Sequence, residues 1–424
     1  AHPHPLTSTI TMRTAKTDQP SPRRRESASQ RLAAAPSAVI RPNDASAQVT
    51  VLGDCAEATR ELVEQAARMS GQEVVLAPTL DDTSWLELAG DLPSAILVDL
   101  STRTARHLTG AVRSRLALAA VPIIGLGGDL TDLVFEEALS AGMDDCCPRE
   151  VGSLGRMLRA VSATREPVSR RPHAVVIADP DRHMRMLIGR VFHNAGYEVI
   201  FAVDGSDALQ RAEDERVQTV ICAASLEAER GAGAPLSVRA RRSGNQAVWV
   251  INTPPAEIPA TLARVDADDR KLAVHDAYSA PDNLLFVTNE LLGRPGQEAR
   301  QSERVLFGTI VRFRAAGQRE ERIGYSYNIS AGGLYVRTLI PPESKSSTWL
   351  ELAPPRCDRL VHLEAEVVWC RRPGPTGQAT VPSGFGVRIT AATPADLRRY
   401  QDGYEAYLAD RVALRRSARP PSDE

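Results

Sequence analysis

No stretch of the chain approaches the ~20 consecutive apolar residues needed to span a bilayer. The first residues lack the apolar core of a secretory signal, so the chain reads as cytoplasmic and not inserted in a membrane. Its six cysteines, at 55, 146, 147, 222, 357 and 370, show no CxxC or Cys/His spacing. They read as reduced, mostly buried thiols rather than disulfides or a metal centre. An excess of one charge is missing too: 51 Lys and Arg stand against 53 Asp and Glu, a net charge of -2. That balance gives the whole molecule no drive toward nucleic acid or an anionic surface. GxSxG, HExxH and Walker motifs are absent and the eight histidines are scattered, so no enzyme is expected.

What is present is ordinary globular material, 43% hydrophobic and 25% charged, in 424 residues. That length exceeds one domain. Residues 1–46 are rich in Ser, Thr, Ala, Pro and Arg, and too poor in large apolar residues to offset their ordering entropy. They are expected to be disordered, with Arg23–Arg25 a solvated charge cluster. From 47 to 166 short β runs (VTVLG, EVVLA, AILVDL, PIIGLG) alternate with helical periodicity, predicting a doubly wound parallel α/β sheet. The same order repeats over 172–292 (HAVVIADPD, YEVIFA, TVICAA, VWVIN). Aligning VLGD (51–54) with VIAD (176–179) brings Arg60 under Arg185, which two tandem copies of one unit explain.

After a linker at 293–299 the apolar period changes to 2 over 300–392. The runs TIVRFR, YSYNIS, GLYVRT, VHLEAEVVW and GFGVRI predict an all-β barrel or sandwich. A C-terminal helix over 393–416 starts at Thr393-Pro394, with Leu397, Tyr400, Tyr404, Leu408 and Val412 on one stripe; a disordered tail follows at 417–424.

The two α/β units resemble response-regulator receivers, whose site lies at the carboxyl ends of parallel strands. The resemblance implies two acids holding Mg2+, a phospho-acceptor Asp ending the third strand, then a Thr/Ser and a Lys. In the first unit Asp54 and Asp99 stand at the family interval, but Cys55 replaces the second acid, Gly127 the Thr/Ser and Arg149 the Lys. One acid fits the near-octahedral shell of Mg2+ poorly, so no metal is expected. The reading is a pseudo-receiver in which Asp54, Asp99 and Arg149 form a fixed ion-pair network, with phosphorylation of Asp99 as the alternative. The second unit keeps Asp179, has Pro180 for the second acid, and puts Ala223 or Ala224 at the acceptor position and Asn252 near the Thr/Ser. Both units read as docking or dimerisation modules, and a homodimer is left open.

In the β segment Arg300-Gln-Ser-Glu-Arg304 forms RxxxR and Asn328-Ile-Ser330-Ala-Gly-Gly333 forms NxSxxG, 24 residues later. Each is weak alone, but their order, separation and β context resemble the PilZ family, in detail PilZ domains of myxobacterial type. The resemblance covers about 300–391 and implies cyclic di-GMP as ligand. Two arginines can fork onto phosphate oxygens or guanine edges and stack on a base. Asn328 and Ser330 alternate onto one strand face as hydrogen-bonding groups, and Gly333 permits a tight turn and close backbone approach. Arg312 and Arg314 read as surface strand charges, and Arg322 and Arg337 carry no assignment. The leading expectation is a cyclic di-GMP receptor that relays binding to signalling proteins. The others are a ligand-independent scaffold in motility, polarity or developmental signalling, and a regulator gated at Asp99.

Overall fold

The computed structural model describes residues 47–77, 92–115, 118, 121–162, 173–227, 235–242, 244, 246–265, 270–293, 302–373 and 380–417. The expectations for residues 1–46, most of the 293–299 linker, Arg300 and the tail from 418 lie outside these residues.

The first unit runs β1 (Ala47–Leu52), α1 (Glu57–Ser70), β2 (Gln72–Ala77), β3 (Ala95–Asp99), α2 (Ala105–Arg113), β4 (Ile123–Gly127), α3 (Asp132–Ser140), β5 (Asp145–Pro148) and α4 (Val151–Ser162). Its five strands are parallel in the order β2-β1-β3-β4-β5. β3 and β4 are buried along their whole length because helices cover both faces, which is why they read as unbroken apolar runs. Helix α1 ends at Gly71, whose left-handed φ of 71° lets its N–H reach back to the last-turn carbonyls.

The second unit repeats the plan: β6 (Ala174–Ala178), α5 (Arg182–Asn194), β7 (Glu198–Ala202), α6 (Gly205–Ala212), β8 (Val217–Ala223), α7 (Ala224–Glu227), α8 (Leu236–Arg242), β9 (Val248–Thr253), α9 (Ile258–Leu262), β10 (Leu272–Asp276) and α10 (Asn283–Leu292). Its order, β7-β6-β8-β9-β10, is that of the first unit, so the tandem repeat read from the sequence is a repeat of topology. Asp181 and Asp204 cap α5 and α6, accepting from His183 N–H and Asp207 N–H.

The third unit contains β11 (Val305–Leu306), β12 (Ile310–Ala315), β13 (Arg322–Ser330), β14 (Gly333–Arg337), β15 (Ser347–Leu352), β16 (Val361–Arg371), β17 (Gly384–Ala392) and α11 (Pro394–Ser417). Six strands run β13-β12-β15-β16-β17-β14 and close through a β13–β14 ladder, while β11 adds to the far half of β13. Phe313 and Phe385 meet at 4.9 Å in a core that also takes Leu350, Leu363 and Tyr400. Helix α11 begins as expected: Thr393 Oγ1 accepts from Asp396 N–H and donates to the Asp396 carboxylate. The sequence reading passed over β15, although its burial alternates strictly. Lys345, with φ 66°, turns the chain just before it.

The units interlock. Asp144 of the first is bracketed by Arg113 (2.7 Å) and by Arg190 of the second (2.6 Å). Burial would raise its pKa, but the two guanidiniums hold it down to about 2. The barrel docks on the α3–β5–α4 face of the first unit. There Phe135 stacks on Tyr325 (5.3 Å, 8°), the Asp132 carboxylate accepts from Ile310 N–H, and the Asp145 carboxylate accepts from Leu339 N–H (2.8 Å). It also meets the second unit, where Arg337 pairs with Asp282 (2.9 Å) and the Tyr327 hydroxyl donates to the Asp282 carbonyl (2.7 Å). Barrel strands usually bury alternate residues, but β13 is buried from Gly324 to Ile329 because the α/β units cover its outer face.

Candidate functional site

At the carboxyl end of the first sheet Asp99 is 2% exposed, and its Oδ1 accepts from the Ser101 N–H (2.9 Å), the Ser101 hydroxyl (2.7 Å) and the Arg149 guanidinium. Thr59 donates to its other oxygen at 3.2 Å. Burial opposes ionisation of Asp99, but the Ser101 bonds and the Arg149 charge outweigh it and hold the carboxyl below its ordinary range. The expected network needs one correction. Asp54 is exposed and makes no ion pair among the described residues; the lock is Asp99 with Arg149, Ser101 and Thr59. Asp54 ends up outside because β1 stops at Leu52 and the positive φ of Gly53 turns the chain away. With Cys55 in the second acid position and Asp99 already engaged, these donors do not fit an octahedral magnesium shell. No cluster of three metal-binding side chains occurs among the described residues.

In the second unit Asp179 is buried, which raises its pKa, and accepts from Asp181 N–H. Asn252 Oδ1 lies 3.0 Å from His275 Nδ1, whose Nε2 meets Ser279 Oγ at 3.1 Å. Burial pulls His275 down to about 4, so the ring is neutral at pH 7. Ala223 closes β8, so the acceptor position carries no nucleophile.

The barrel brings the end of the first sequence motif near the second. Val305 pairs with Ile329 and Leu306 with Asn328, so β11, which follows directly on Arg304, lies beside the strand carrying NxSxxG. Arg304 is half-buried at the start of this ladder. Asn328 is 3% exposed, paired across β14 to Tyr335 just past a register shift between Ser326 and Asn328. Its side chain is therefore drawn further into the protein than the expected open strand face. Ser330 is half-buried, and its hydroxyl donates to the Gly333 carbonyl at 3.1 Å. Gly333 makes the close backbone approach expected of it. Its φ is not positive, and a Cβ there would stand 2.1 Å from the Val387 carbonyl oxygen. Its close approach is to β17, so barrel closure demands the glycine.

Arg312 and Arg314 are exposed, as expected. Arg337, unassigned from sequence, is the buried partner of Asp282, and Arg322 donates to the Ile340 carbonyl (3.2 Å). Sequence reasoning also missed three hydroxyls on α11. Tyr400 donates to the Ser330 (3.1 Å) and Gly333 (2.9 Å) carbonyls, Tyr404 to that of Glu303 (2.8 Å), and Tyr407 to that of Leu306 (3.1 Å). The available signal was tyrosine, rather than phenylalanine, on an apolar stripe: a buried phenol needs a partner.

Residues 298–405 match the family model described as PilZ domain. No curated protein matches the chain. Similar solved structures include the Bacillus subtilis inhibitor of motility MotI/DgrA, at 21% identity over 27% of this chain and 52% of that one, TM-score 0.22. The present chain thus covers about half the length of that protein. Another is the PilZ domain of YcgR from Escherichia coli, solved with c-di-GMP, at 15% identity over 27% of this chain and 97% of that one, TM-score 0.21. A third is a putative two-component system response regulator/GGDEF domain protein, at 18% identity over 58% of this chain and 99% of that one, TM-score 0.26. Residues 298–405 thus match the PilZ domain model, and they lie behind two α/β units that share one parallel strand order.

Proposed function

We propose that the chain is a cytoplasmic signalling regulator that binds cyclic di-GMP at the barrel and relays the event to protein partners through its two pseudo-receivers. The observation that carries this reading is the β11–β13 ladder, which sets the end of RxxxR against NxSxxG. In this reading Arg300 and Arg304 fork onto phosphate oxygens or guanine edges, while Asn328 and Ser330 supply shorter hydrogen bonds. Gly333 supplies the close packing beneath them.

A route to the other units starts in the same motif. Gly333 opens β14, and β14 ends at Arg337, which pairs with Asp282. Thr338 and Leu339 then donate to Asp145. A five-residue strand thus joins the ligand motif to both α/β units. Ligand shifts the arrangement of units only by binding one arrangement more tightly than another. The test is titration calorimetry of the full chain with cyclic di-GMP, wild type against Arg300→Ala/Arg304→Ala. Saturable heat lost in the double variant is expected, and no heat from wild type would sink the reading.

A second reading, a ligand-independent scaffold, draws on Gly333 and Asn328 being accounted for by barrel packing. It predicts partner binding that the arginine substitutions leave unchanged.

A further inference from the structure

We infer that helix α11 sets the geometry of the ligand site, with Tyr404 and Tyr407 as positioning residues for the arginine segment and Tyr400 for the NxSxxG turn. This rests on the cyclic di-GMP reading above and adds residues that neither motif contains.

β11 is only two residues long and shares two register pairs with β13. A ladder that short holds its backbone weakly, and fraying would release the chain that carries Arg304. The helix supplies what the ladder lacks. Tyr404 and Tyr407, one turn apart, donate to the Glu303 and Leu306 carbonyls on either side of Arg304–Val305. The Tyr407 ring also meets Phe307 edge-on at 5.4 Å. One turn earlier, Tyr400 donates to both carbonyls of the 330–333 turn. A single helix face therefore holds the backbone on both sides of Arg304 and the backbone of the 330–333 turn. Burial pushes the Tyr400 and Tyr404 phenols up, so both remain donors at physiological pH. The helix is itself rigidly mounted: it follows β17 directly, and β17 pairs with Gly333 through Arg388.

An arginine held in place binds without the cost of ordering its segment. Removing two hydroxyls returns that cost to the binding step, which at the usual worth of a hydrogen bond weakens affinity about tenfold. The experiment uses the full chain and Tyr404→Phe/Tyr407→Phe, which keeps both rings packed. Amide hydrogen exchange without ligand should accelerate at 303–307 and stay unchanged in β16 and β17, while cyclic di-GMP titration shows the tenfold loss at a held melting temperature. A merely structural role would lower the melting temperature and speed exchange across the barrel, with the affinity of folded protein unchanged, and that outcome overturns the inference. So does exchange at 303–307 equal to wild type. If wild type gives no heat with cyclic di-GMP, the receptor reading falls, and the exchange comparison still decides whether the hydroxyls hold the segment.

Discussion

Asp145 offers a sharp test of how the units are joined. Its carboxyl is fully buried where β5 meets the barrel, accepting from Cys146 N–H (2.9 Å), Leu339 N–H (2.8 Å) and the Thr338 hydroxyl (3.3 Å). Burial pushes its pKa from 3.8 to about 7, with those bonds and the Arg337 charge opposing the rise. Since the folded state holds this proton more tightly than the unfolded state, no cost exists below 3.8. Stability then falls as pH rises from 3.8 to about 7, and the full cost persists above. At about 1.4 kcal/mol per pH unit the cost reaches about 4 kcal/mol. Asp145→Asn cannot ionise, so its stability minus that of wild type should climb by about 4 kcal/mol between pH 4 and pH 8. A constant offset will sit under this climb, because one N–H now faces an amide nitrogen. His275, pulled by burial from 6.5 to about 4, loses stability as pH falls through the same window. Neighbouring Cys146 and Cys147 are pushed up by burial and stay protonated there. Taking variant minus wild type cancels these groups. Urea unfolding at half-unit pH steps, read at the transition that exposes the barrel interface, makes the measurement. A difference constant with pH would refute the reasoning and mean that the three donors keep Asp145 ionised in the folded state.

Gly333→Ala should cost about 3 kcal/mol or more, because its Cβ would meet the Val387 oxygen at 2.1 Å; thermal melting of the full chain reads this, and a melt like wild type would show that β14 and β17 can separate freely. Arg337→Met leaves Asp282 buried without its partner and should cost about 3–5 kcal/mol, most of it recovered by adding Asp282→Asn. A double-mutant cycle in urea checks the coupling, and additivity would contradict it. Asp99 is engaged by Arg149 and Ser101, so acetyl phosphate should leave its mass unchanged; a label that Asp99→Asn abolishes would restore phosphorylation gating.

The α/β units were legible because parallel strands buried on both faces leave unbroken apolar runs, as in AILVD and VWVIN. Four-residue β5 is too short to announce itself by periodicity, and its DCCP carries Asp145, whose burial depends on a barrel nearly two hundred residues away. The RxxxR and NxSxxG motifs were legible as spacing. The role of Gly333 was not, because the reason for that glycine lies on β17, far along the chain. Arg337 carried no assignment until α10 brought Asp282 to it. The tyrosine stripe on α11 was visible, but the carbonyls that its hydroxyls reach were not.

By itself, then, the sequence determined the local and periodic features: two α/β repeats, a β barrel, a capped final helix and a pair of motifs in the right order. These follow from burial patterns and turn chemistry that act over a few residues. Only the tertiary structure decided which charges are paired, which motif residues serve packing, and that the barrel sits on the α3–β5–α4 face with Asp132 and Asp145 reaching across. Those outcomes depend on desolvation and on partners distant in the chain, and no local pattern encodes a partner until folding has brought it within bonding distance.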